Sequence, residues 1–211
     1  MKREEGLRLV EQTKIIAIVR GVEKLHIRGL AEALLEGGIP VMEVTLNTPG
    51  ALEMITELQA ALGDRMYIGA GTVLDLDDAR NALSAGASYL VTPNMDEDVI
   101  RFAAEQNVPI YPGAMTPTEI VKAWRAGATA VKVFPSASLG LPFLKELMGP
   151  LSSIPMIAVG GVTEDNIAEF VKLGCYGVGI GGSLVNLKEI SAGNYDWVRD
   201  KASRLSARIK A

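Results

Sequence analysis

A lysine stands inside an apolar run, Ala130-Val131-Lys132-Val133-Phe134-Pro135, which otherwise has the pattern of a fully buried β-strand. Burial disfavours the ammonium form of Lys132 and lowers its pKa, so a usable fraction of free amine is present at neutral pH. A free amine attacks carbonyl carbons and forms Schiff bases. The alternative is that Lys132 ends a strand, where it reaches solvent or pairs with a carboxylate. The pattern therefore predicts a Schiff-base lysine, with a structural lysine as the competing interpretation.

A second charge interrupts another apolar run, Val41-Met42-Glu43-Val44. Glu43 and Lys132 carry opposite charges, so inside one fold they could form a structural ion pair. They could also act together, because a carboxylate beside an amine nucleophile can move protons during carbinolamine and enamine formation. We expect the second arrangement, with Lys132 as the nucleophile and Glu43 as the general acid and base.

Short runs rich in β-branched residues recur along the chain, roughly every 20 to 25 residues, with helical periodicity between them. Strands are predicted at eight places, over 15–19, 41–45, 67–73, 89–92, 109–111, 130–134, 156–159 and 177–180. Helices are predicted between them and at the two ends, over 4–13, 25–36, 51–62, 77–85, 96–106, 117–125, 164–173 and 195–210. One strand-helix unit is therefore used repeatedly.

The architecture that this repetition predicts is an α/β fold, the (β/α)8 TIM barrel. Near-continuous apolar strands indicate a parallel sheet that is covered on both faces, and eight strand-helix units are the number that closes a barrel. A doubly wound open sheet would carry a Gly-x-Gly-x-x-Gly turn after its first strand, whereas this chain has Arg20-Gly21-Val22-Glu23 there. No linker interrupts the pattern, so a single barrel domain over 1–211 is expected.

Composition narrows the possible functions. The formal net charge is −4 and the basic residues are scattered, so we expect no nucleic-acid partner and no membrane surface. The one cysteine, Cys175, has no partner for an internal disulfide, and the one histidine, His26, rules out a histidine-based metal cluster. No signal peptide or long apolar span is recognisable. We expect a cytoplasmic protein that needs no metal and no cofactor.

Polar and glycine residues follow the predicted strands, at the barrel end where such folds gather their catalytic groups. They comprise Arg20, Asn47, Gly71-Thr72, Thr92-Pro93-Asn94, Gly160-Gly161 and Gly181-Gly182-Ser183. Glycine-rich turns after the last two strands are where a barrel often builds a phosphate site from backbone N–H groups. Tight turns that need positive φ are the alternative explanation for these glycines.

Five motifs in this order resemble those of the pyruvate-dependent class I aldolases of 2-keto-3-deoxy-6-phosphosugar acids. The resemblance covers about residues 15–183. This family includes the 6-phosphogluconate and 6-phosphogalactonate enzymes and the bifunctional 4-hydroxy-2-oxoglutarate aldolases. The motifs are Glu43-Val44-Thr45-Leu46-Asn47-Thr48, Ile68-Gly69-Ala70-Gly71-Thr72-Val73, Val91-Thr92-Pro93-Asn94, Val131-Lys132-Val133-Phe134-Pro135 and Gly160-Gly161-Val162.

The resemblance implies an activity and a role for each matching residue. It implies an aldehyde-lyase that releases pyruvate and glyceraldehyde 3-phosphate. From 4-hydroxy-2-oxoglutarate, the same enzyme would release pyruvate and glyoxylate. The resemblance also implies a homotrimer. Lys132 would form the Schiff base and Glu43 would be the acid and base. Substrate contacts would come from Thr72, Pro93, Phe134, Asn47 and Val159, and the phosphate would lie on Gly160, Gly161, Gly182 and Ser183.

Two positions depart from the phosphogluconate-type pattern. Many such members carry an arginine for the substrate carboxylate where this chain has Asn47, and Arg20 would take over that contact here, as in phosphogalactonate-type members. Valine replaces threonine at Val159, so a hydroxyl that could recognise one substrate configuration is lost. This favours phosphogalactonate or relaxed specificity. Isomerase or transferase chemistry on a phosphate-binding barrel, and a non-catalytic sugar-phosphate binding protein, remain alternatives.

Overall fold

The computed structural model describes residues 1–210, and their strands form a parallel barrel surrounded by helices. The strands are β1 (Ile15–Val19), β2 (Val41–Thr45), β3 (Tyr67–Gly71), β4 (Leu90–Val91), β5 (Ile110–Tyr111), β6 (Gly113–Ala114), β7 (Val131–Val133), β8 (Met156–Val159) and β9 (Gly177–Ile180). They pair side by side in the order β5-β4-β3-β2-β1-β9-β8-β7-β6, and every pair is parallel. The predicted (β/α)8 barrel is confirmed.

One interrupted strand closes the barrel. β5 pairs with β4 and β6 pairs with β7, and only Pro112 separates β5 from β6. Proline has no N–H to donate, so the ladder breaks at this residue. Its carbonyl still accepts a hydrogen bond of 2.9 Å from the backbone N–H of Lys132. The predicted strand over 109–111 is therefore the first half of a barrel strand that continues to Ala114.

The helices surround the barrel in sequence order. They are α1 (Arg3–Thr13), α2 (Ile27–Glu36), α3 (Ala51–Leu62), α4 (Leu76–Ser84), α5 (Glu97–Glu105), α6 (Pro117–Ala126), α7 (Ser136–Met148), α8 (Ile167–Lys172), α9 (Leu187–Ser191) and α10 (Tyr195–Lys210), with a 3-10 turn over Lys24–His26. Two of these, α7 and α9, are absent from the helices that the sequence predicts. In α7, Gly140 has a non-helical φ of 76° and Pro142 follows, so the helical pattern is broken there.

Apolar residues form two separate buried clusters. The larger cluster lies between the strands and the surrounding helices, as a sheet covered on its outer face requires. The smaller one fills the barrel interior and includes the three tyrosines Tyr67, Tyr89 and Tyr111. Below them, α1 covers the amino-terminal end of the barrel, where the ring of Tyr67 occupies the space that a side chain at Gly6 would need. The carboxyl-terminal end of the barrel is not covered by α1. Among residues 1–210, no helix combines the length and the apolar character of a membrane span.

Candidate active site

A cavity of about 510 Å³ lies at the carboxyl-terminal ends of the strands. This is the end at which barrel enzymes place their catalytic groups. All but one of the residues predicted for the site line this cavity. They are Arg20, Glu43, Thr72, Pro93, Lys132, Phe134, Val159, Gly160, Gly161, Gly182 and Ser183.

Lys132 lies on β7 with its side chain inside the barrel, and only 6% of the residue is exposed. Its Nζ lies 5.0 Å from the centroid of the Phe134 ring, within range of a cation–π contact. Burial lowers the pKa of Lys132, the Glu43 charge opposes that effect, and the Arg20 charge reinforces it. Because the net direction is down, the amine of Lys132 is more available as a nucleophile than that of an exposed lysine.

Glu43 lies on β2, where it is 2% exposed and pairs in the ladder with Gly69 on β3. Burial raises the pKa of Glu43, and the charges of Lys132 and Arg20 act in the opposite direction. A carboxyl group with a raised pKa holds a proton more strongly than an ordinary carboxyl group, which suits it to accept a proton and return it during a reaction. Within the described part of the chain, no salt bridge joins Glu43 to Lys132. The two groups therefore share one cavity without the closed ion pair that a purely structural role would require.

The two candidates for binding the substrate carboxylate lie in different places. Arg20 follows β1 directly, is exposed, and lines the cavity. Asn47 is exposed in a separate groove of about 380 Å³, together with Asp78 and Asn81. The structure therefore brings Arg20, and not Asn47, to the cavity that contains Lys132.

Threonine hydroxyls fix the turn that presents Arg20. Thr48 accepts a hydrogen bond of 2.9 Å from the backbone N–H of Gly21, and its hydroxyl lies 3.1 Å from that of Thr45. Thr45 in turn donates to the Val19 carbonyl at 3.3 Å. Both threonines are buried, so these bonds tie the end of β1 to the loop after β2.

Phe134, Thr72 and Pro93 also line the cavity, and of these Phe134 lies beside the Lys132 amine. Phe134 is 37% exposed, which is unusual for phenylalanine and leaves its ring facing the cavity. Thr72 has a φ of 56°, a left-handed conformation that costs energy for a β-branched residue and is concentrated at functional sites. These residues give the cavity an apolar surface with one hydroxyl.

Glycine-rich loops after β8 and β9 form another part of the cavity lining. Gly160 and Gly161 have φ values of 99° and 69°, which only glycine adopts readily. In the described residues, the backbone N–H groups of Gly160, Gly161, Gly182 and Ser183 donate no hydrogen bond. The Ser183 hydroxyl donates to the Val162 carbonyl at 2.8 Å and so joins the two loops. Such a set of free amides is suited to an anion.

Several residues that contribute to the site are not predicted from the sequence. Ile18, Thr163, Val185 and Leu187 also line the cavity. Ser136 lies just outside it and is fully buried. Its hydroxyl donates to the Val133 carbonyl at 2.7 Å and accepts from the Val159 N–H at 3.1 Å, so it holds the ends of β7 and β8 together. A serine three residues after the end of the lysine strand is the one sequence signal that could have identified it.

The amino-acid sequence is similar to those of known proteins. The family model described as "KDPG and KHG aldolase" matches residues 7–200. The 2-dehydro-3-deoxy-6-phosphogalactonate aldolase of Escherichia coli (strain K12) is 39% identical over 176 residues, which cover 82% of this chain and 86% of that protein. The chain belongs to the KDPG and KHG aldolase family. The 2-dehydro-3-deoxy-phosphogluconate aldolase of Treponema pallidum (strain Nichols) is 34% identical over 195 residues, 90% of each chain.

Solved structures of KDPG and KHG aldolases have the same fold as this family member. The structure described as "Native KDPGal structure" matches with a TM-score of 0.87 and 34% identity, over 93% of this chain and 94% of that one. The KDPG aldolase of Legionella pneumophila matches with a TM-score of 0.89 and 26% identity, over 97% of this chain and 98% of that one. That crystal structure contains pyruvate captured at low pH as a covalent carbinolamine intermediate.

Proposed function

We propose that this chain is a class I aldolase that cleaves a 2-keto-3-deoxy-6-phosphosugar acid to pyruvate and glyceraldehyde 3-phosphate. The observation that carries the proposal is the buried Lys132, which shares one cavity with Glu43 and forms no salt bridge with it. Family membership supports the same reaction class, and the relatives' names supply the substrate class.

The reaction begins at Lys132. Its neutral Nζ attacks the C2 carbonyl carbon of the substrate to give a carbinolamine. The carbinolamine hydroxyl takes up a proton from the solvent and leaves as water, which gives a protonated imine, and the proton returns to the solvent when the imine is hydrolysed. The ionised Glu43 carboxylate removes the proton of the C4 hydroxyl. The C3–C4 bond then breaks, its electron pair passes into the imine, and the aldehyde leaves. Glu43 returns a proton to C3 of the enamine, and hydrolysis of the imine releases pyruvate and regenerates the amine.

The remaining residues hold the two ends of the substrate. The Arg20 guanidinium suits the C1 carboxylate, with which it can form two parallel hydrogen bonds. The free amides of the loops after β8 and β9 suit the phosphate at the other end. Phe134, Thr72 and Pro93 would pack around the pyruvyl part next to Lys132. With both ends held, the C2 carbonyl lies at the amine.

We propose a preference for the phosphogalactonate configuration, or relaxed specificity between the two epimers. Val159 lines the cavity between Lys132 and the glycine pair, and its side chain has no hydroxyl for the substrate hydroxyls. The 39% identical relative named as a phosphogalactonate aldolase supports the same direction. Cleavage of 4-hydroxy-2-oxoglutarate is a further proposed activity, because that substrate presents the same carboxylate and carbonyl to Arg20 and Lys132.

A homotrimer in the cytoplasm completes the proposal. Exposed apolar side chains, among them Leu74, Met115 and Trp124, support an interface with further copies of the chain. A phosphorylated acid does not cross membranes unaided, which supports a cytoplasmic site of action. Light scattering on the purified protein measures the mass of the assembly, and a monomer would contradict the trimer.

The experiment that tests the function is a pyruvate-release assay with the two C4 epimers and with 4-hydroxy-2-oxoglutarate. We expect pyruvate from at least one phosphorylated epimer with the wild-type chain and none with Lys132→Ala. Binding of both epimers without pyruvate release would contradict the aldolase proposal and favour a sugar-phosphate binding protein. Conversion of the substrate without pyruvate would favour isomerase or transferase chemistry.

A further inference from the structure

Two buried threonines hold the peptide groups on both sides of Arg20. The Thr48 hydroxyl accepts a hydrogen bond of 2.9 Å from the Gly21 N–H, which follows Arg20 in the chain. The Thr45 hydroxyl donates at 3.3 Å to the Val19 carbonyl, which precedes Arg20. The two hydroxyl oxygens lie 3.1 Å apart. These hydrogen bonds and the backbone from Val19 to Gly21 form a closed ring around Arg20, which we call the threonine ring.

The chemistry of the groups fixes the direction of each hydrogen bond in the threonine ring. A backbone N–H can only donate, a carbonyl can only accept, and a hydroxyl has one proton to donate. Thr45 gives its proton to the Val19 carbonyl, so the bond between the two hydroxyls is donated by Thr48. Thr48 in turn accepts from the Gly21 N–H. Each hydroxyl is therefore used both as a donor and as an acceptor, which a valine of the same shape could not do.

The two threonines lie behind the active site and are not part of its surface. Arg20 lines the active-site cavity, whereas Thr45 and Thr48 are buried and are absent from the described residues that line it. The charge of Arg20 lowers the pKa of both Glu43 and Lys132, so Arg20 lies within electrostatic range of the reacting groups. Thr45 and Thr48 can therefore affect the substrate only through a residue such as Arg20.

No ion pair holds the guanidinium of Arg20. Within residues 1–210, Arg20 is exposed and forms no salt bridge. An exposed arginine side chain can adopt many rotamers, and ordering it costs free energy. The position of the Arg20 backbone therefore determines which part of the cavity the guanidinium can reach.

We propose that Thr45 and Thr48 are positioning residues, which hold Arg20 so that its guanidinium meets the carboxylate of the substrate. This role rests on the proposed function, in which Arg20 binds the C1 carboxylate. Two parallel hydrogen bonds to a carboxylate require a guanidinium at a defined place and in a defined plane. The threonine ring meets this requirement by fixing both peptide groups of Arg20. The loop after β2 thus contributes to carboxylate binding without touching the substrate.

The same loop explains the position of Asn47. The Thr48 N–H donates to the Thr45 carbonyl at 2.9 Å and closes a tight turn over 45–48. The side chain of Thr48 is buried in the threonine ring, while the preceding Asn47 is exposed in the neighbouring groove. The turn therefore gives the loop its effect on the cavity through Thr48 and not through Asn47.

The test removes the hydroxyls and keeps the shape of the side chains. Thr48→Val removes the acceptor of the Gly21 N–H. Thr45→Val interrupts the threonine ring at its other member, so a second variant is available if the first does not fold. Thr48→Ser keeps the hydroxyl. Thr129→Val is the matched control, because the Thr129 hydroxyl accepts the Ile110 N–H at 3.2 Å at the amino-terminal end of the barrel.

The first readout is the pyruvate concentration that gives half-maximal borohydride trapping on Lys132. In Thr48→Val and in Thr45→Val it should rise about tenfold, which corresponds to the loss of one of the two hydrogen bonds to the carboxylate. Trapping at saturating pyruvate and the affinity for glyceraldehyde 3-phosphate should stay at wild-type values, since neither depends on Arg20. Thr48→Ser and Thr129→Val should bind pyruvate like the wild-type chain.

A double-mutant cycle separates positioning of Arg20 from a general structural role. In the Arg20→Ala background, Thr48→Val should weaken pyruvate binding by no more than about twofold, because no guanidinium is left to position. A crystal structure of Thr48→Val is the second readout. It should show Arg20 displaced from its wild-type position, while Lys132 and Glu43 stay in place.

A further loss of about tenfold in the Arg20→Ala background would overturn the inference, because Thr48 would then act independently of Arg20. An equal loss in Thr129→Val, wild-type pyruvate affinity in Thr48→Val, or an unmoved Arg20 in its crystal structure would also overturn it. Wild-type pyruvate affinity in Arg20→Ala would overturn it as well, although trapping on Lys132 would still support the proposed function. If the proposed function fails, the wild-type chain traps no pyruvate, and the crystal structure still decides whether the ring positions Arg20.

Discussion

Gly71 on β3 lies against the carboxyl group of Glu43 on β2. A Cβ placed at Gly71 would lie 2.7 Å from Cδ of Glu43, a separation that folded proteins do not tolerate without movement. The absence of a side chain at position 71 therefore keeps open the space that the Glu43 carboxyl group occupies. Glu43 also lines the active-site cavity, so a side chain at position 71 would push the carboxyl group into that cavity.

Gly71→Ala should displace Glu43 and slow aldol cleavage by on the order of 100-fold, because a shift of about 1 Å in a catalytic group has this effect. Pyruvate should still be trapped on Lys132, which the change does not touch. Steady-state kinetics measures the loss. Gly149→Ala is the control, since its Cβ would have only an ordinary contact of 3.6 Å with the Glu146 carbonyl. Wild-type turnover in Gly71→Ala would contradict the spatial role of Gly71.

The titration of Lys132 should respond in opposite directions to its two charged neighbours. The free-amine fraction rises as pH increases through the pKa of Lys132, which burial lowers. The Glu43 charge raises this pKa, so Glu43→Gln should move the midpoint of imine formation to lower pH. The Arg20 charge lowers it, so Arg20→Ala should move the midpoint to higher pH. Borohydride quenching across a pH series measures both, and shifts in the same direction would contradict this assignment.

Glu43→Gln should keep the imine but slow proton transfer. We expect turnover to fall on the order of 10²–10⁴-fold, since positioned acid–base groups contribute rate factors of this size. The measurement is turnover combined with pyruvate trapping on the same sample. Full activity would show that Glu43 is structural. Loss of folded protein, seen by circular dichroism, would identify the carboxylate as a buried charge on which the fold depends.

Arg20→Ala should weaken the binding of pyruvate and of the full substrate alike, because both carry the carboxylate. It should leave the affinity for glyceraldehyde 3-phosphate little changed. A charge-assisted bidentate contact predicts a loss of on the order of 30-fold or more in kcat/KM. Asn47→Ala is the matched comparison and should cost much less, because Asn47 lies outside the active-site cavity. A larger loss in Asn47→Ala than in Arg20→Ala would overturn the assignment of Arg20.

The sequence predicts the site better than it predicts the connections between elements. The outer face of a barrel strand is covered by apolar helices, so a charged side chain in such a strand is expected to face the barrel interior. The shared cavity of Lys132 and Glu43 could therefore be predicted. Asn47 also follows a strand, yet the loop after β2 places it in a neighbouring groove. Strand order alone does not predict how such a loop turns.

Other features escape prediction for equally local reasons. Gly140 and Pro142 interrupt the helical period of α7, and the five residues of α9 are too few for a period to emerge. In the sequence, Tyr89 and Tyr111 have the pattern of ordinary buried residues in apolar strands. That both hydroxyls are buried without a partner depends on packing inside the closed barrel, which no short-range pattern encodes.

The central claim is that Lys132 forms a covalent imine with pyruvate, and borohydride reduction in the presence of pyruvate tests it most directly. Only an imine is reduced to a stable adduct, so mass spectrometry of the digested protein should find one pyruvyl group on the peptide that contains Lys132. Lys132→Arg keeps the positive charge without the nucleophile and should give no adduct and no cleavage. An adduct on a different lysine, or an active Lys132→Arg enzyme, would contradict the account.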